Sequence, residues 1–286
     1  MSITRYNYDW SKITLADNYM FITVFSQPDL CRELLEILFG IPIKEVRSIT
    51  GEKAIAPGLG ARGVRMDVYV DDPEGHVFDV EMQCENEGNY ERRSRYYLSS
   101  IDYDCIRNGE DYEQLRESYV IFICKFDPFK HDLVRYTITP HCRENGIEMA
   151  DGATRMFVNA PGFASCDDPR LRCFLQYLMG GTIEDDFTER VDRVVRKERD
   201  STEWRRNRMS YEIRLREERA KGRAEAFDAM SKLAARLDAA GRLDELADAL
   251  RSEELRARLF TEFGIGDAGS EQPSHSRIED TPLCAN

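Results

Sequence analysis

The chain has 286 residues and a formal net charge of −13, so it can hold one large domain plus an extension, and its charge counts against binding to nucleic acids. No stretch approaches the roughly 18 apolar residues of a membrane span, and Met1 to Trp10 lacks the apolar core of a signal peptide. The eight cysteines form no C-x-x-C pair, so we expect reduced thiols in a cytoplasmic protein, without disulfides or a zinc knuckle.

The first predicted element is a helix from Ile13 to Phe39, which ends at Gly40-Ile41-Pro42. A short strand is predicted from Glu45 to Ile49. Glu52 to Gly63 contains three glycines and a proline, which is typical of a loop. The helix is predicted from apolar residues that recur at helical spacing near its end: Leu34, Leu35, Leu38 and Phe39.

A β-hairpin is the most informative pattern in the sequence. Val64 to Val70 and Val77 to Gln83 are rich in β-branched residues, and Asp71 to Gly75 has the composition of a turn. If the turn centres on Glu74, residues pair across the strands when their numbers sum to 148. One side of the hairpin is then wholly apolar: Met66, Val68, Val70, Phe78, Val80 and Met82.

The other side of the hairpin is polar. It would consist of three cross-strand pairs: Arg65 with Gln83, Asp67 with Glu81, and Tyr69 with Asp79. Two directly opposed carboxylates, with Cβ atoms roughly 5 Å apart, are destabilising unless a cation lies between them. The pair of acids therefore indicates a metal site, and the alternative is a half-exposed hairpin whose polar side faces water.

Further elements complete the pattern of an α/β core. Asn89 to Asn108 is a predicted helix that carries an apolar stripe and ends at the glycine that follows it. Tyr119 to Phe126 is a nearly continuous apolar run, which suits a buried central strand. Leu133 to Thr139 and Thr154 to Asn159 are further strands. The order helix, three strands, helix, strand indicates an α/β fold.

The last third of the chain is predicted to be helical. Arg170 to Met179 is one helix, and residues 183–262 form a helical extension with breaks at Gly222 and Gly241. Residues 263–286 have the composition of a disordered tail. The extension carries an apolar seam that could assemble oligomers: Leu233, Leu237, Leu243, Leu246, Leu250, Leu255 and Leu259.

Basic residues are concentrated at the start of this extension. Residues 190–223 hold 13 of the 40 Lys and Arg residues, interspersed with seven acids. Mixed charge of this kind usually marks a solvated helix face, and contact with DNA is the alternative.

The ordered set of motifs resembles the PD-(D/E)xK nucleases, and within them the branch of PD-(D/E)xK transposases or recombination-promoting nucleases. The resemblance covers roughly residues 10 to 160 and implies a restriction-endonuclease-like α/β core, a mixed sheet flanked by helices, at residues 10–180. Gln83 departs from the broad superfamily, where Lys is usual, although Gln is common in this branch. The resemblance rests on these stretches: Leu15–Phe21 with Val24-Phe25, Gly63–Tyr69, Asp79–Gln83, Arg92–Tyr97 leading to Asn108–Tyr112, and Tyr119–Phe126.

The resemblance also implies a catalytic site at the hairpin. Asp67 and Glu81 would hold Mg²⁺ or Mn²⁺ through carboxylate oxygens, and the main-chain carbonyl of Met82 would add a ligand by analogy with the family. Such a metal lowers the pKa of water and neutralises charge on phosphate. Gln83 would orient the attacking water, but it brings no positive charge to the transition state. The rival hypothesis is a site that has decayed.

Four more residues are candidates, each with an ordinary structural alternative. Asp17 would be either the N-cap of the first helix or a third acid near the metal, a role that resembles one filled from the first helix in related nucleases. Arg65 would contact the scissile phosphate or neutralise Asp67. Arg92 and Tyr96 would line the DNA path or belong to an ordinary amphipathic helix.

Two functions follow from these expectations. The first is a metal-dependent DNA endonuclease that hydrolyses phosphodiester bonds in recombination or mobile-element traffic and forms a homodimer through its C-terminal helices. The second is a catalytically weak or inactive nuclease-fold protein that acts as an oligomeric scaffold. The intact set of Asp67, Glu81 and Gln83 favours the first, and the acidic balance and long helices favour the second.

Overall fold

The computed structural model describes residues 8–55 and 63–265. The chain divides into two compact units, of which the first ends at Glu212 and the second begins at Ile213. Among the described residues, no helix is long and apolar enough to cross a lipid bilayer. The seven cysteines in this part of the chain are free thiols.

The first unit is built around a mixed β-sheet. The strands lie in the order β1-β2-β3-β4-β6-β5. The β3–β4 and β4–β6 pairs are parallel and the other neighbours are antiparallel. The strands are β1 (Ser48–Ile55), β2 (Val64–Asp71), β3 (Val77–Gln83), β4 (Ser118–Cys124), β5 (Arg135–Ile138) and β6 (Ala153–Asn159). The mixed sheet expected from the sequence is confirmed.

Helices cover both faces of this sheet. One face packs against α1 (Asn18–Phe25), α2 (Pro28–Phe39), α4 (Pro169–Leu178) and α5 (Asp186–Asp200), with Phe21, Leu34, Phe174 and Val191 among the fully buried contacts. The other face packs against α3 (Tyr90–Cys105) through Leu98 and Ile101. Burial on both faces explains the apolar run of β4, whose residues from Val120 to Cys124 are all buried.

The single helix predicted from Ile13 to Phe39 is in fact two helices. Gln27 separates them in an extended conformation, with φ −85° and ψ 121°. The cause is Pro28, because a proline disfavours the helical conformation in the residue before it but suits the first turn of the next helix. Apolar spacing alone does not reveal this break.

The loop predicted from Glu52 to Gly63 is also partly wrong. The strand predicted from Glu45 to Ile49 instead runs from Ser48 to Ile55, so the first residues of the expected loop are paired with β2. Residues 56–62 lie outside the described residues. A glycine is needed at position 51 because a Cβ atom there would lie 2.7 Å from Cγ2 of Ile22 in α1.

The C-terminal helices differ from the prediction at one of two glycines. Gly222 lies inside α6 (Thr202–Ala239), because one glycine among helix formers costs only about 1 kcal/mol. The break at Gly241 is confirmed, with φ +70°. The last helices are α7 (Glu245–Arg251) and α8 (Glu253–Glu262). Residues 266–286 of the predicted tail lie outside the described residues.

Most of the apolar seam of the extension is buried or partly buried within the second unit. Leu233, Leu237 and Leu259 are fully buried together with Ala249. Leu243 and Leu250 are exposed. The three helices therefore bury most of the seam among themselves.

The hydrophobic core of the first unit extends past the boundary expected at residues 180–183. Phe187, Val191 and Val195 of α5 are buried in it, and so is Trp204 at the start of α6. Nε1 of Trp204 also donates a hydrogen bond to Oγ1 of Thr23 in α1, at 2.9 Å. These helices belong to the core, although the sequence assigned them to the extension.

A chain that ends near Gly180 is therefore expected to be insoluble or unfolded, whereas one that ends after Glu212 should keep a folded first unit. The shorter chain loses four buried apolar side chains, each worth roughly 1.5–3 kcal/mol, from a total stability of about 5–15 kcal/mol. Circular dichroism and a cooperative thermal melt of both chains test this. A cooperative melt of the shorter chain would show that α5 is dispensable.

Candidate active site

The candidate site lies where the β2–β3 hairpin opens. The predicted register is confirmed for the paired part of the hairpin, where Val68 pairs with Val80, Tyr69 with Asp79 and Val70 with Phe78. Each pair of numbers sums to 148, as expected for a turn centred on Glu74. The ladder ends at the first of these pairs, one residue before the predicted pair of acids.

Beyond that point, carboxylates replace the ladder hydrogen bonds. Oδ2 of Asp67 accepts a hydrogen bond from the main-chain N–H of Met82, at 3.0 Å. Oε1 of Glu81 accepts one from the main-chain N–H of Asp67, at 2.8 Å. In a continued ladder the Met82 N–H would bond to the carbonyl of Met66, because hydrogen-bonded pairs alternate along antiparallel strands. Each acid thus uses one oxygen to hold the opposite strand.

Three predicted cross-strand pairs are therefore wrong: Met66 with Met82, Asp67 with Glu81, and Arg65 with Gln83. The ladder ends here because the carboxylate of each acid accepts a main-chain N–H of the opposite strand. Met66 packs with the apolar cluster on the α3 side of the sheet, whereas Val68 and Val70 pack on the other side. The alternation of faces along β2 thus shifts at Asp67.

A backbone irregularity lies on the other side of Asp67, in β1. Gly51 pairs with Val68 and Lys53 pairs with Met66, but the residue between them, Glu52, is outside the ladder. Glu52 has φ +54°, a left-handed conformation that is uncommon for residues other than glycine. Glu52 also raises the pKa of Asp67, so a further acid lies near the site.

Asp79 is a third carboxylate close to the first two. It is fully buried on β3, two residues before Glu81. Neither of its carboxylate oxygens has a hydrogen-bond partner within the described chain. Burial, and then the charge of Asp67, raise the pKa of Asp79 well above its ordinary value. A buried carboxyl without a partner is costly, because the group has lost its water.

The other two acids are perturbed in the same direction. Burial raises the pKa of Asp67 to about 7. Burial, followed by the charges of Asp67 and Asp79, raises the pKa of Glu81 well above its ordinary value. Strong shifts caused by burial and like charge are typical of functional sites. The three carboxylates therefore form one electrostatically coupled group.

Gln83 is held between this group and Arg93 of α3. Nη1 of Arg93 donates a hydrogen bond to Oε1 of Gln83, at 3.1 Å. Nε2 of Gln83 lies 3.4 Å from Oε2 of Glu81, and Nη2 of Arg93 lies 4.0 Å from the same oxygen. Arg93 thus brings a positive charge to the edge of the carboxylate group.

Asp17 takes the structural role that the sequence left as one of two alternatives. It is the N-cap of α1, and its Oδ1 accepts a hydrogen bond from the N–H of Met20, at 3.1 Å. Its Oδ2 binds the buried guanidinium of Arg208, with 2.6 Å to Nη2. Within the described residues no hydrogen bond joins Asp17 to Asp67 or Glu81.

The three residues predicted to contact DNA differ in how exposed their side chains are. Arg65 is half-buried, and its Nη1 lies 3.8 Å from Oε1 of Glu52. It also lowers the pKa of Asp67 as a minor contribution. Arg92 and Tyr96 are exposed on α3.

Sequence reasoning missed Asp79 and Arg93. Asp79, Glu81 and Gln83 are every second residue of β3, so the two-residue period of a strand places Asp79 on the same side as the other two. Arg93 precedes Tyr97 by four residues and so shares a helix face with the recognised apolar stripe. Its neighbours Arg92 and Arg95 are exposed, whereas Arg93 is half-buried, and the sequence does not show this difference.

The basic residues around α5 mostly have acidic partners. This agrees with the mixed, solvated helix face that the sequence favours over a DNA-binding surface. The ion pairs are Arg190 with Glu33, Arg193 with Glu189, Arg196 with Asp192, Lys197 with Glu198, Arg205 with Asp200, and Arg208 with Asp17.

The chemistry of the carboxylate group fits a hard divalent cation. Among residues 8–55 and 63–265, no three side chains of His, Cys, Asp or Glu are arranged to enclose an ion on their own. Mg²⁺ does not require such a cage, because it is commonly held by one or two carboxylates together with water and substrate phosphates. A cation would reduce the repulsion between Asp67 and Glu81. It would also offset the cost of the unpaired oxygens of buried Asp79.

Comparison with known proteins agrees with this geometry. The family model described as PD-(D/E)XK nuclease family transposase matches residues 16–170, a little over half of the chain. The match includes the hairpin, α3 and the parallel strands, and it confirms the resemblance drawn from the motifs. No curated protein and no solved structure matched the chain.

The raised pKa of Asp67 predicts how the metal-free protein responds to pH. A folded-state pKa of about 7, against an ordinary 3.8, means that the folded state holds its proton more tightly than the unfolded state. The melting temperature should therefore fall as pH rises from about 4 to about 7. Asp67→Asn should flatten part of this fall, whereas Asp167→Asn, at an exposed site, should not.

The same variant separates metal binding from folding. Adding Mg²⁺ or Mn²⁺ should raise the melting temperature of the wild type, because the ion binds the folded state. This rise should be absent in Asp67→Asn and kept in Asp167→Asn. An unchanged rise in Asp67→Asn would show that the metal binds elsewhere.

Proposed function

This chain belongs to the PD-(D/E)XK nuclease family transposases, and on that basis we propose that it is a divalent-metal-dependent DNA endonuclease that hydrolyses phosphodiester bonds. The observation that carries the proposal is the group of carboxylates formed by half-buried Asp67 with buried Asp79 and Glu81, whose pKa values are all raised. Such a group is unfavourable in a structural role and is suited to binding a cation.

We assign the metal to Asp67 and Glu81, together with the main-chain carbonyl of Met82. The N–H of Met82 is directed towards β2, where it meets Asp67. The N–H and C=O of one strand residue point to the same side, so the carbonyl of Met82 is also directed towards β2. The bound metal, which we take to be Mg²⁺ with Mn²⁺ as a substitute, would supply water activation and neutralise charge on the phosphate.

The protein side chains then have distinct tasks. Gln83 would position the attacking water through its amide, as the family resemblance implies. Asp17 would act indirectly, because it anchors Arg208 of α6, and the same helix carries Tyr211, whose pKa is raised by burial and next by Asp67. Asp17 is thus a positioning residue in this proposal.

The DNA would approach from the side of α3. Arg92 and Tyr96 are exposed there. Arg65 lies two residues before Asp67 on β2, and we propose that it contacts the phosphate at the metal. An arginine can bind a phosphate in bidentate fashion. We propose a cytoplasmic role in recombination or in the traffic of mobile elements, as the family description suggests.

We also propose that the chain acts as a homodimer. A double-strand break requires two cuts, and one nuclease core offers one active site. The second unit exposes apolar side chains, including Phe227 at 76% and Leu250 at 62%, and an isologous dimer is the commonest homo-oligomer. Light scattering on the full-length chain should give the dimer mass, and a monomer at micromolar concentration would contradict it.

Purified protein should nick or linearise plasmid DNA only when a divalent metal is present. Asp67→Ala and Glu81→Ala should each lower the rate by at least about 100-fold, because each removes a ligand and a charge from a two-carboxylate site. Gel analysis of plasmid with Mg²⁺, with Mn²⁺ and with a chelator measures this.

Glu113→Ala is the matched control, because it removes one exposed carboxylate from the same unit. It should cut as fast as the wild type. Equal cleavage by all four proteins would identify a contaminant. A folded wild type that cuts nothing with either metal would leave the oligomeric scaffold as the better account.

A further inference from the structure

Arg93 is the one arginine that contacts Gln83 among the described residues. Its side chain is 28% exposed and is held in place from several directions. The guanidinium carbon lies 5.8 Å from the ring centre of Tyr90, 5.8 Å from that of Tyr97 and 5.4 Å from that of Phe122. Aromatic rings attract a guanidinium through their electron-rich faces, so the charge is fixed beside the site.

The contacts of Gln83 fix the orientation of its amide. Arginine has only donors, so Oε1 of Gln83 must face Arg93. The carboxylate of Glu81 accepts, so Nε2 of Gln83 faces Glu81. A flipped amide would place an NH₂ group against the guanidinium and an oxygen against the carboxylate. Arg93 therefore decides which end of the amide points into the site.

We propose that Arg93 and Gln83 together replace the lysine usual at position 83 in the superfamily, with Arg93 supplying the positive charge and Gln83 the hydrogen bond. This inference rests on the proposed nuclease function. Arg93 is a positioning residue: it acts on the amide of Gln83, at 3.1 Å, and on the charge of Glu81, at 4.0 Å.

The proposal explains why glutamine stands at this position. A lysine at position 83 would place an ammonium group against the guanidinium of Arg93, and like charges at such a distance are destabilising. With Arg93 present, part of the positive charge that a lysine would supply is already in place, so a glutamine at position 83 is sufficient. If Arg93 were neutral, a lysine at position 83 would restore the missing charge. The two positions should therefore be coupled with a defined sign.

A double-mutant cycle on the full-length chain tests this coupling. Arg93→Gln should slow plasmid nicking about 100-fold, as expected for the loss of one preorganised charge. Gln83→Lys alone should also be slower than the wild type. The double variant Arg93→Gln/Gln83→Lys should be at least about tenfold faster than Arg93→Gln. Arg93→Lys should recover part of the rate, because it keeps the charge without the forked geometry.

Melting temperatures of the metal-free proteins provide a readout that does not depend on activity. Gln83→Lys should raise the melting temperature by less in the wild type than in the Arg93→Gln background, because in the wild type the repulsion between the two cations offsets part of the attraction to the carboxylates. Two exposed controls match the charge changes: Arg143→Gln removes a positive charge, and Gln114→Lys adds one. Both should leave the rate and the melting temperature unchanged.

The outcomes separate this inference from the proposed function. If the wild type does not cut DNA, the nuclease proposal fails, and the melting temperatures still decide whether Arg93 and position 83 share one cationic site. If the double variant is no faster than Arg93→Gln and the melting temperatures are additive, Arg93 has only a packing role and the inference is overturned.

Discussion

The structure of the site depends on an exchange of hydrogen bonds between two strands. Asp67 and Glu81 each accept a main-chain N–H from the opposite strand, where a regular hairpin would continue its ladder. This exchange opens the hairpin without leaving those amides unpaired, and it keeps two carboxylates close together in a buried place. Such an arrangement is stable only because the rest of the sheet and the helices on both faces hold the strands.

Repulsion within the carboxylate group is the cost of this arrangement. Burial raises the pKa of Asp67, of Asp79 and of Glu81, so in the absence of metal part of the group is protonated near neutral pH. Arg93 offsets some of the negative charge from one side, and a divalent cation would offset more. The pKa values are thus raised first by burial and then by negative charge that Arg93 balances only in part.

The sequence predicted the mixed sheet and the register of the paired part of the hairpin, because these follow from strict alternation over short distances. It did not predict the end of the ladder at Val68, since that end comes from side chains that compete with the backbone for hydrogen bonds. Asp79 was assigned to the correct side of the hairpin but not to the site. The packing of α5 and Trp204 into the core was not predicted. A long run of helix-forming residues does not show which of its helices pack on the core and which extend from it.

The most direct test of the metal assignment is a crystal structure of the full-length protein soaked with Mn²⁺, with data collected for anomalous scattering. The account predicts an anomalous peak that contacts one carboxylate oxygen each from Asp67 and Glu81 at roughly 2.1 Å, the distance typical of Mg²⁺. A well-ordered site with no peak there, or a peak bound only by other residues, would contradict it.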